Sequence, residues 1–426
     1  MDNKNNKKNK TLGELFEIAR RSITTYSDPI SPPVKMVNDR SPVVELVNGL
    51  LQEALENNAS DIHVEPGHKL GRLRYRIDGR LEEIYDEISM ELYSNVISRI
   101  KIMCQLNIAE NRLPQDGRFS YEFGQQTIDV RVSIVPLIKG EKVVMRLLNR
   151  SAGFMDMDSL DFSPENRERF IGLCREASGA VLMVGPVNSG KTTTLYGALH
   201  YLNDSQKNIV TIEDPVEYQL EGINQIQVNT RLKLDFEEAL RAVLRQDYDI
   251  LAIGEVRSEE VAKILIKSGL TGHLVFGSVH TSSAAKAIFR LREMGIKPFM
   301  LAIALRGIVA QRLLPRLCPH CCQAYDILPD SDLARTLGEA YEPGMWLYHR
   351  RGCDRCNGRG VKGRVAIQEI LVMDSRLQQC ITREASLQEL EEEIMQTGMK
   401  AMWLDGVDKA KAGLVELEEV LRVCSE

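Results

Sequence analysis

Apolar and polar positions recur with two different periods in the first part of the chain. Over residues 42–55 the apolar side chains return at the spacing of a buried helix face. Over residues 72–77 and 128–134 they alternate with polar side chains, which is typical of half-buried strands. Asp78-Gly79 ends the first alternating run and is a common turn between antiparallel strands. This part of the chain is therefore predicted to be a small α+β domain.

Further along, apolar runs alternate with helical patterns. Runs of strand length lie at residues 180–184, 209–212, 250–253 and 274–278. Strands that alternate with helices in this way are typical of βαβ units around a parallel sheet. The predicted fold class is therefore α/β, with the smaller α+β domain in front of it.

Changes in composition predict where these parts begin and end. The Lys- and Asn-rich residues 1–10 are predicted to be disordered, and a helical pattern of Leu12, Leu15, Phe16 and Ala19 follows them. A Pro-rich stretch at residues 28–33 then breaks regular structure, and Cys, Pro, Gly and Arg become frequent after residue 317. The predicted segments are a disordered tail and linker over 1–40, the α+β domain over 41–150, a linker over 151–165, the α/β core over 166–317, a cysteine element over 318–370 and a helical region over 371–426.

Composition narrows the class of protein. The 426 residues carry a net charge of −6, with 43% hydrophobic and 27% charged residues, which is ordinary for a soluble protein of about two or three domains. There is no overall basic field, so we expect no nucleic-acid partner. No signal peptide is visible at the start, and the longest apolar run, at residues 299–305, is too short to cross a bilayer. We therefore expect a cytoplasmic protein.

A glycine-rich loop carries the strongest chemical signal. Residues 185–192 match G-x-x-x-x-G-K-T and lie between a predicted strand and a predicted helix, which is the context that a P-loop needs. In such loops backbone N–H groups surround phosphate oxygens, while Lys191 would reach the β- and γ-phosphates and the Thr192 hydroxyl would bind Mg²⁺. A chance glycine-rich turn is the alternative. The residues predicted to contact the nucleotide are Gly185, Pro186, Asn188, Ser189, Gly190, Lys191, Thr192 and Thr193.

Carboxylates follow two of the other predicted strands. Glu213, Asp214 and Glu217 come at the end of one strand, and Glu255 comes after the next. Because the carboxyl ends of parallel strands meet at the ligand crevice of a sheet, such acids can hold Mg²⁺ and orient a water molecule for in-line attack. For any one of them, a solvated loop position is the alternative.

Two histidines flank another predicted strand. His273 precedes residues 274–278 and His280 follows them. A single histidine is usually structural, whereas a pair around one strand suggests either γ-phosphate sensing or coupling between subunits.

Two C-x-x-C pairs predict a metal site. Cys318 and Cys321 form one pair, and Cys353 and Cys356 form the other after about 30 residues. Four thiolates suit tetrahedral Zn²⁺, and a site whose ligands all come from protein is structural rather than catalytic. The alternatives are four unliganded thiols, or a ligand set in which a neighbour replaces one cysteine. The neighbours that could do so are His320 and Cys322.

Taken together, these segments resemble the type II secretion and type IV pilus assembly ATPase family, the GspE/PulE or PilB-like group. The resemblance runs from about Ser41 to the C-terminus. One departure is Ser258, because the family usually has Asp after Gly-Glu-x-Arg, and this puts a local contact of Arg257 in question. The matching segments, in the family's order, are residues 59–66, 113–118, the P-loop, 213–217, 254–257, 271–281 and 311–313.

The resemblance implies a hexameric ATPase whose N-terminal domain closes over nucleotide bound to a RecA-like domain. It also implies that Arg118, Arg131 and Arg146 of the N-terminal domain are directed toward the nucleotide, which suits guanidinium groups and phosphate oxygens. A solvated strand face is the alternative for these arginines.

The acids acquire more specific roles from the same resemblance. Glu255 is expected to activate the attacking water. Glu213 and Asp214 are expected to shape the Mg²⁺ and water network, with Glu217 supporting them.

The resemblance further implies a motor that uses ATP, Mg²⁺ and a Zn²⁺ element to power pilus or pseudopilus assembly or type II protein secretion. It would work as a homo-hexamer at the cytoplasmic face of the inner membrane, recruited by a platform protein of the machine. About 40 residues precede the match, too few for the separate docking domain of larger members, so we expect docking through the tail, the N-terminal domain or the C-terminal surface. The alternatives are a retraction motor, which generally lacks the cysteine element, a non-hydrolysing nucleotide-binding regulator and a DNA translocase.

Overall fold

The computed structural model describes residues 11–24, 41–124, 126–149, 157–229, 232 and 234–425. Within these ranges no helix is long and apolar enough to cross a membrane. The chain divides into two compact units, Met1–Ala152 and Gly153–Glu426, which are described separately. The predicted disorder at residues 1–10 and the predicted linker at residues 28–33 lie outside the described residues.

The first unit is a six-stranded sheet packed against helices. Its elements are α1 (Leu12–Thr24), α2 (Pro42–Glu56), β1 (Ala59–Glu65), β2 (Leu70–Ile77), β3 (Arg80–Ser89), α3 (Met90–Met103), β4 (Gln115–Phe123), β5 (Gln126–Leu137) and β6 (Gly140–Asn149). The strand order is β3-β2-β1-β6-β5-β4, and all neighbouring strands are antiparallel. Alternate residues of each central strand are apolar and form one core with the helices.

Helix α1 confirms the helical pattern predicted from Leu12 and shows that part of the tail over residues 1–40 is packed. Its apolar stripe of Leu15, Phe16 and Ala19 is buried in the core of the first unit. Phe16 stacks on Tyr85 with ring centroids 4.0 Å apart. Gly49 of α2 allows the close approach, since a Cβ atom there would lie 2.4 Å from Leu15 Cδ1. Part of the segment assigned to a disordered tail is therefore a packed helix.

The second unit begins, among its described residues, with a short 3₁₀ helix, Met157–Leu160. Its longer elements are α4 (Pro164–Cys174), β7 (Gly179–Val184), α5 (Lys191–Leu202), β8 (Ile209–Glu213), β9 (Asn224–Gln227), α6 (Phe236–Val243), β10 (Ile250–Ile253), α7 (Glu259–Leu270), β11 (Leu274–Val279), α8 (Ala284–Glu293), α9 (Pro298–Ala304), β12 (Leu305–Leu317), β13 (Gln323–Asp326), α10 (Asp332–Leu337), β14 (Trp346–His349), β15 (Val361–Val372), α11 (Ser375–Thr382), α12 (Leu387–Gln396), α13 (Met402–Lys411) and α14 (Leu417–Cys424).

Seven of these strands form one sheet in the order β15-β12-β7-β11-β10-β8-β9. Neighbouring strands are parallel except for β12 and β15. Strands β7, β10 and β11 are buried along their whole length, as expected when helices cover both faces of a parallel sheet. Helices α4 and α5 cover one face, and α6 to α9 cover the other. The predicted fold class is thus confirmed.

The predicted linker over residues 151–165 is packed where the structure describes it. Met157 and Leu160 are buried in the core that contains α4 and α5. The Leu160 carbonyl also accepts a hydrogen bond of 2.9 Å from Gln368 of β15. These residues therefore belong to the body of the second unit.

Candidate nucleotide site and metal centre

The predicted P-loop connects β7 to α5. Strand β7 lies between β12 and β11 in the middle of the sheet, so its carboxyl end opens at the centre of the sheet edge. Gly185 and Gly190 have φ values of 154° and 89°. A Cβ atom on Gly185 would lie 2.4 Å from Ser189 Oγ and 2.6 Å from the Gln311 carbonyl oxygen. Only glycine fits the first of these positions without displacing the loop.

The other predicted loop residues differ in their exposure. Pro186, Asn188 and Thr192 are exposed, whereas Ser189 is buried and Thr193 half-buried. The exposed hydroxyl of Thr192 lies in the first turn of α5, where the positive end of the helix dipole also favours phosphate. This position is compatible with the predicted Mg²⁺ contact of Thr192.

The Lys191 side chain is held by backbone carbonyl groups of the P-loop. Its Nζ donates hydrogen bonds to the carbonyl oxygens of Gly185 (2.8 Å) and Pro186 (2.7 Å). It also lies 3.4 Å from His280 Nδ1. Burial lowers the pKa of the Lys191 ammonium to about 8, although Glu255 acts in the opposite direction. The Lys191 ammonium would therefore be a partly desolvated cation for phosphate oxygens bound at the P-loop.

Glu255 is the centre of a chain of charged and polar groups beside the loop. One of its oxygens lies 2.6 Å from Arg257 Nη2, and the other lies 3.3 Å from His280 Nε2. Arg257 Nη1 in turn lies 3.7 Å from a carboxylate oxygen of Asp214. Contacts therefore run from Lys191 through His280 and Glu255 to Arg257 and Asp214. The structure thus brings together five side chains that the sequence places on four separate segments.

The charge states in this chain follow from its neighbours. Burial raises the pKa of Glu255, but Arg257, His280 and Lys191 together outweigh burial and bring it below its usual value. Burial and the Lys191 charge lower the pKa of His280. A neutral His280 that accepts at Nδ1 from Lys191 and donates from Nε2–H to Glu255 satisfies both contacts. Glu255 is therefore an ionised carboxylate able to accept a proton from water.

Glu213 is occupied by protein donors. Its carboxylate accepts hydrogen bonds from Thr211 Oγ1 (2.6 Å), Gln225 Nε2 (3.1 Å) and the Tyr196 hydroxyl. Burial raises its pKa, against the effect of these hydrogen bonds. Glu213 thus anchors the end of β8, and its part in shaping a Mg²⁺ and water network stays a prediction.

Tyr196 is a site-supporting residue that the sequence did not reveal. Besides its bond to Glu213, its oxygen accepts a hydrogen bond of 3.3 Å from the Glu217 backbone N–H. Its ring also packs edge-on against Tyr218, with centroids 4.6 Å apart. In the sequence Tyr196 is one apolar position of an amphipathic helix, so the only available signal was its place one turn after the P-loop.

The two histidines lie at opposite ends of β11. Because His280 follows this strand and His273 precedes it, they are separated by roughly 20 Å of extended chain. The His273 ring packs on Tyr248, with centroids 4.4 Å apart, and its Nδ1 lies 3.3 Å from Thr271 Oγ1. This position does not support γ-phosphate sensing by His273 at the P-loop of its own chain. Coupling between subunits is the alternative that stays open for it.

Ser258 does not prevent the Arg257 contact that its identity put in question. Its hydroxyl caps α7 by accepting from Val261 N at 3.3 Å and lies 3.2 Å from Glu237 Oε1. Serine and aspartate are both good N-cap residues, so the helix start tolerates either. Arg257 keeps its contacts with Glu255 and Asp214.

Gln311 supports the P-loop from the neighbouring strand. Its Nε2 donates to the Ser189 carbonyl at 2.7 Å, and its Oε1 accepts from Thr194 Oγ1 at 2.7 Å. All three groups are buried. Residues 311–313 match the family as a segment, but the sequence assigned no role to this glutamine.

The three predicted arginines of the first unit form a cross-strand row. Arg118 is paired with Arg131, and Arg131 with Arg146. Arg146 is paired with Asp61 on β1 and binds it through Nε at 3.0 Å. Arg118 and Arg146 are exposed, while Arg131 is half-buried. The row is a basic strip on the polar face of this sheet, and its action on nucleotide stays a prediction.

The four cysteines of the two pairs converge. Their Sγ atoms all lie within 4.8 Å of one another. The sulfur–sulfur distances are 4.0 Å for Cys318–Cys353 and 3.8 Å for both Cys321–Cys356 and Cys353–Cys356. A tetrahedron with Zn–S bonds of about 2.3 Å has sulfur atoms about 3.8 Å apart, so the four thiols fit Zn²⁺.

The backbone around the cysteines also suits thiolates. Cys356 Sγ accepts hydrogen bonds from the N–H groups of Cys353 (3.2 Å) and Gly360 (3.1 Å). The first cysteine pair follows the end of β12, and the second precedes the start of β15. Between the two pairs in the sequence, β13 and β14 form a small sheet. His320 and Cys322 are not part of the cluster. Any zinc held here would have a structural role, because the four ligands leave no open position.

Comparisons with known proteins agree with this geometry. The model of the family described as "Type II/IV secretion system protein" matches residues 36–422. The chain is 43% identical over 388 residues to the type II secretion system ATPase E of Vibrio cholerae, which covers 91% of this chain and 76% of that protein. It is 44% identical over 411 residues to the type IV pilus assembly ATPase PilB of Thermus thermophilus, which covers 96% of this chain and 46% of that protein.

Solved structures support the fold. The pilus retraction motor PilT with bound ADP is similar with a TM-score of 0.59 and 25% identity, over 88% of this chain and 96% of that one. The ATPase DotB of Legionella pneumophila has a TM-score of 0.64 at 18% identity, over 93% and 98% of the two chains, and shows likeness of fold only. The chain belongs to the type II/IV secretion system protein family and is one of its ATPases.

Proposed function

We propose that this chain is the subunit of a homo-hexameric motor that hydrolyses ATP to power the assembly of a pilus or pseudopilus, or type II protein secretion. It would act at the cytoplasmic face of the inner membrane through a platform protein of the machine. The relatives named as a secretion ATPase and a pilus assembly ATPase support this proposal. The hexamer, the platform protein and the location follow from the resemblance to the family.

One observation carries the proposal of hydrolysis: Glu255 lies within contact distance of His280, which itself contacts the P-loop lysine. A carboxylate in this position can activate a water molecule near the γ-phosphate, while Lys191 and a Mg²⁺ ion held by Thr192 stabilise charge on the phosphates. Asp214 would act through Arg257, and Glu217 and Glu213 would support the edge of the sheet. A regulator that only binds nucleotide has no use for an ionised Glu255 placed in this way.

The test of hydrolysis is a steady-state ATPase assay of Glu255→Gln. We expect a loss of at least about a hundredfold in kcat, which is the usual contribution of a positioned general base. Glu293→Gln is the matched control, because Glu293 is an exposed glutamate on α8 that forms a surface ion pair with Arg290. Equal rates for the wild type and Glu255→Gln would favour the non-hydrolysing regulator.

The cysteine cluster favours an assembly or export motor over a retraction motor. According to the resemblance, the retraction branch generally lacks this element, whereas the described residues here bring four thiols together. Deletion of the gene in its own organism should abolish surface filaments or substrate export, and Glu255→Gln should not restore them. Excess filaments after deletion would instead indicate retraction.

A DNA translocase is the remaining alternative. Contacts with phosphate backbones strengthen at low salt, so a translocase would show DNA-stimulated hydrolysis under those conditions. We expect DNA to leave the ATPase rate unchanged at low salt.

A further inference from the structure

Two buried charged side chains hold the segment that carries His280. This segment, here called the His280 loop, consists of residues 280–283 between β11 and α8. Arg312 of β12 donates to the Ser282 carbonyl oxygen at 3.3 Å. Glu369 of β15 accepts from the Ala284 N–H, in the first turn of α8, at 3.0 Å. Both contacts lie at the end of the loop next to α8, at Ser282 and Ala284.

Glu369 also holds a second helix. Its other carboxylate oxygen accepts from the Met402 N–H, in the first turn of α13, at 3.3 Å. The first N–H groups of a helix have no partner within the helix and carry its positive dipole end, so a carboxylate there binds strongly. One buried side chain thus fastens α8 and α13 to the same point of the sheet.

Glu369 and Arg312 are both buried charged residues, so each needs bonding partners within the protein. Glu369 and Arg312 are each only 8% exposed, and they lie on neighbouring strands at the edge of the sheet. A buried carboxylate is costly unless donors surround it, and a core position with no other purpose is usually apolar. The retention of two opposite charges beside the His280 loop therefore points to a need for accurate placement of that loop.

We propose that Glu369 and Arg312 are positioning residues for ATP hydrolysis, which act by fixing the His280 loop so that His280 contacts both Lys191 and Glu255. This inference rests on the proposed function, in which Glu255 activates the water and is linked to Lys191 by the contacts of His280. Both contacts of His280 are near the upper limit of hydrogen-bond distance, at 3.4 and 3.3 Å, so a small shift of the loop would break them. The hydrogen bonds of Glu369 go to the starts of α8 and α13. The charge of Arg312 also lowers the pKa of Lys191, so Glu369 is the residue that tests positioning alone.

The test is the ATPase activity of Glu369→Gln in the full chain, with kcat and KM for ATP measured separately. Glutamine keeps the shape but can accept at only one of the two positions, so one helix start loses its partner. We expect kcat to fall roughly tenfold or more, as for a misplaced catalytic group, with KM changed less than about threefold.

Asp405→Asn is the matched control. Asp405 is a fully buried carboxylate on α13 that binds Gln368 N (2.9 Å) and Lys409 Nζ (2.6 Å) of the same region, and it does not touch the His280 loop. We expect this variant to lose unfolding stability but to keep the wild-type kcat below its melting temperature. An equal loss of kcat in both variants would show that the effect is one of general stability and would overturn the proposal.

A double variant tests whether Glu369 affects kcat through His280. If Glu369 acts through His280, Glu369→Gln adds no further loss of kcat to His280→Ala, whereas independent effects would multiply. Multiplied effects overturn the positioning role. Unchanged kcat in His280→Ala alone overturns the role of His280 and the inference with it, while loss in His280→Ala without loss in Glu369→Gln overturns only the inference.

A second pair of variants tests the same contacts without changing the carboxylate of Glu369. Ala284→Pro removes the N–H that Glu369 accepts, and proline is tolerated at the first position of a helix. Met402→Pro makes the same change at the start of α13. We expect the first variant to lower kcat and the second to leave it closer to wild type. The reverse order would contradict the assignment.

Discussion

Gln311 makes the P-loop depend on a residue far along the chain. Its side chain bridges the Ser189 carbonyl and the Thr194 hydroxyl with two hydrogen bonds of 2.7 Å, and the sequence separation to Thr194 is 117 residues. Gln311→Met keeps the size of the side chain but removes both bonds. The variant therefore leaves a buried carbonyl and a buried hydroxyl without their partner.

The magnitude follows from these two groups. A buried polar group that loses its partner costs about 1–3 kcal/mol, so two such groups should destabilise the loop conformation by about 2–6 kcal/mol. Part of this cost also destabilises the nucleotide-free protein, because the loop relaxes there too, and only the remainder weakens nucleotide binding. We therefore expect at least about tenfold weaker nucleotide binding, which corresponds to about 1.4 kcal/mol.

Fluorescent ATP analogues measure this affinity directly, and denaturant unfolding measures the stability of the fold. Gln388→Met is the matched control, since Gln388 is an exposed helix residue that bonds only to Glu392 one turn away. Thr194→Val should reproduce part of the effect, and the two changes should not be additive because they remove one shared bond. Wild-type affinity in Gln311→Met would refute the view that this bridge sets the shape of the P-loop.

Other predictions concern the metal, the pH dependence and the arginine row. The purified chain should contain about one zinc per subunit, and Cys353→Ser should abolish it, as measured by elemental analysis; a folded wild type without metal would contradict the site. Because the pKa of His280 is lowered from 6.5, the neutral ring contributes to the free energy of unfolding above pH 6.5, and this contribution is lost as pH falls through the folded pKa. The contacts of His280 with Lys191 and Glu255 should weaken over the same range, so kcat should fall there. An acid-side loss of kcat that persists in His280→Ala would argue against this origin. Arg131→Ala should lower kcat more than it lowers the melting temperature, whereas equal losses would favour a solvated strand face.

Much of the second unit was predictable because its signals are local. Residues 180–192 contain the strand, the loop and the helix start in one continuous segment, and each is encoded by its own pattern. The cysteine pairs are similar, since two residues of spacing place both thiols of a knuckle on one turn. Chemistry contained within a single turn or loop can be predicted without knowing how distant segments pack.

The features that the sequence did not reveal depend on contacts between distant segments. The helical pattern that begins at Leu12 was visible, but its packing was not, because it depends on the room that Gly49 of another helix leaves for Leu15. The sequence left two roles open for the histidines, and only the fold shows that His280 contacts Lys191 while His273 packs on Tyr248 at the other end of β11. The role of Glu213 in a Mg²⁺ and water network stays a prediction, and the fold adds that three other residues donate hydrogen bonds to its carboxylate.

The sequence alone determined that this chain has a P-loop, acids and a histidine at the ends of parallel strands, and a tetracysteine element, because each depends on spacing within a short segment. Only the tertiary structure decided that Lys191, His280, Glu255 and Arg257 form one continuous set of contacts, and that Glu369 fastens two helices. Those contacts join residues far apart in the chain, and their geometry depends on strand order and register, which local periodicity does not encode.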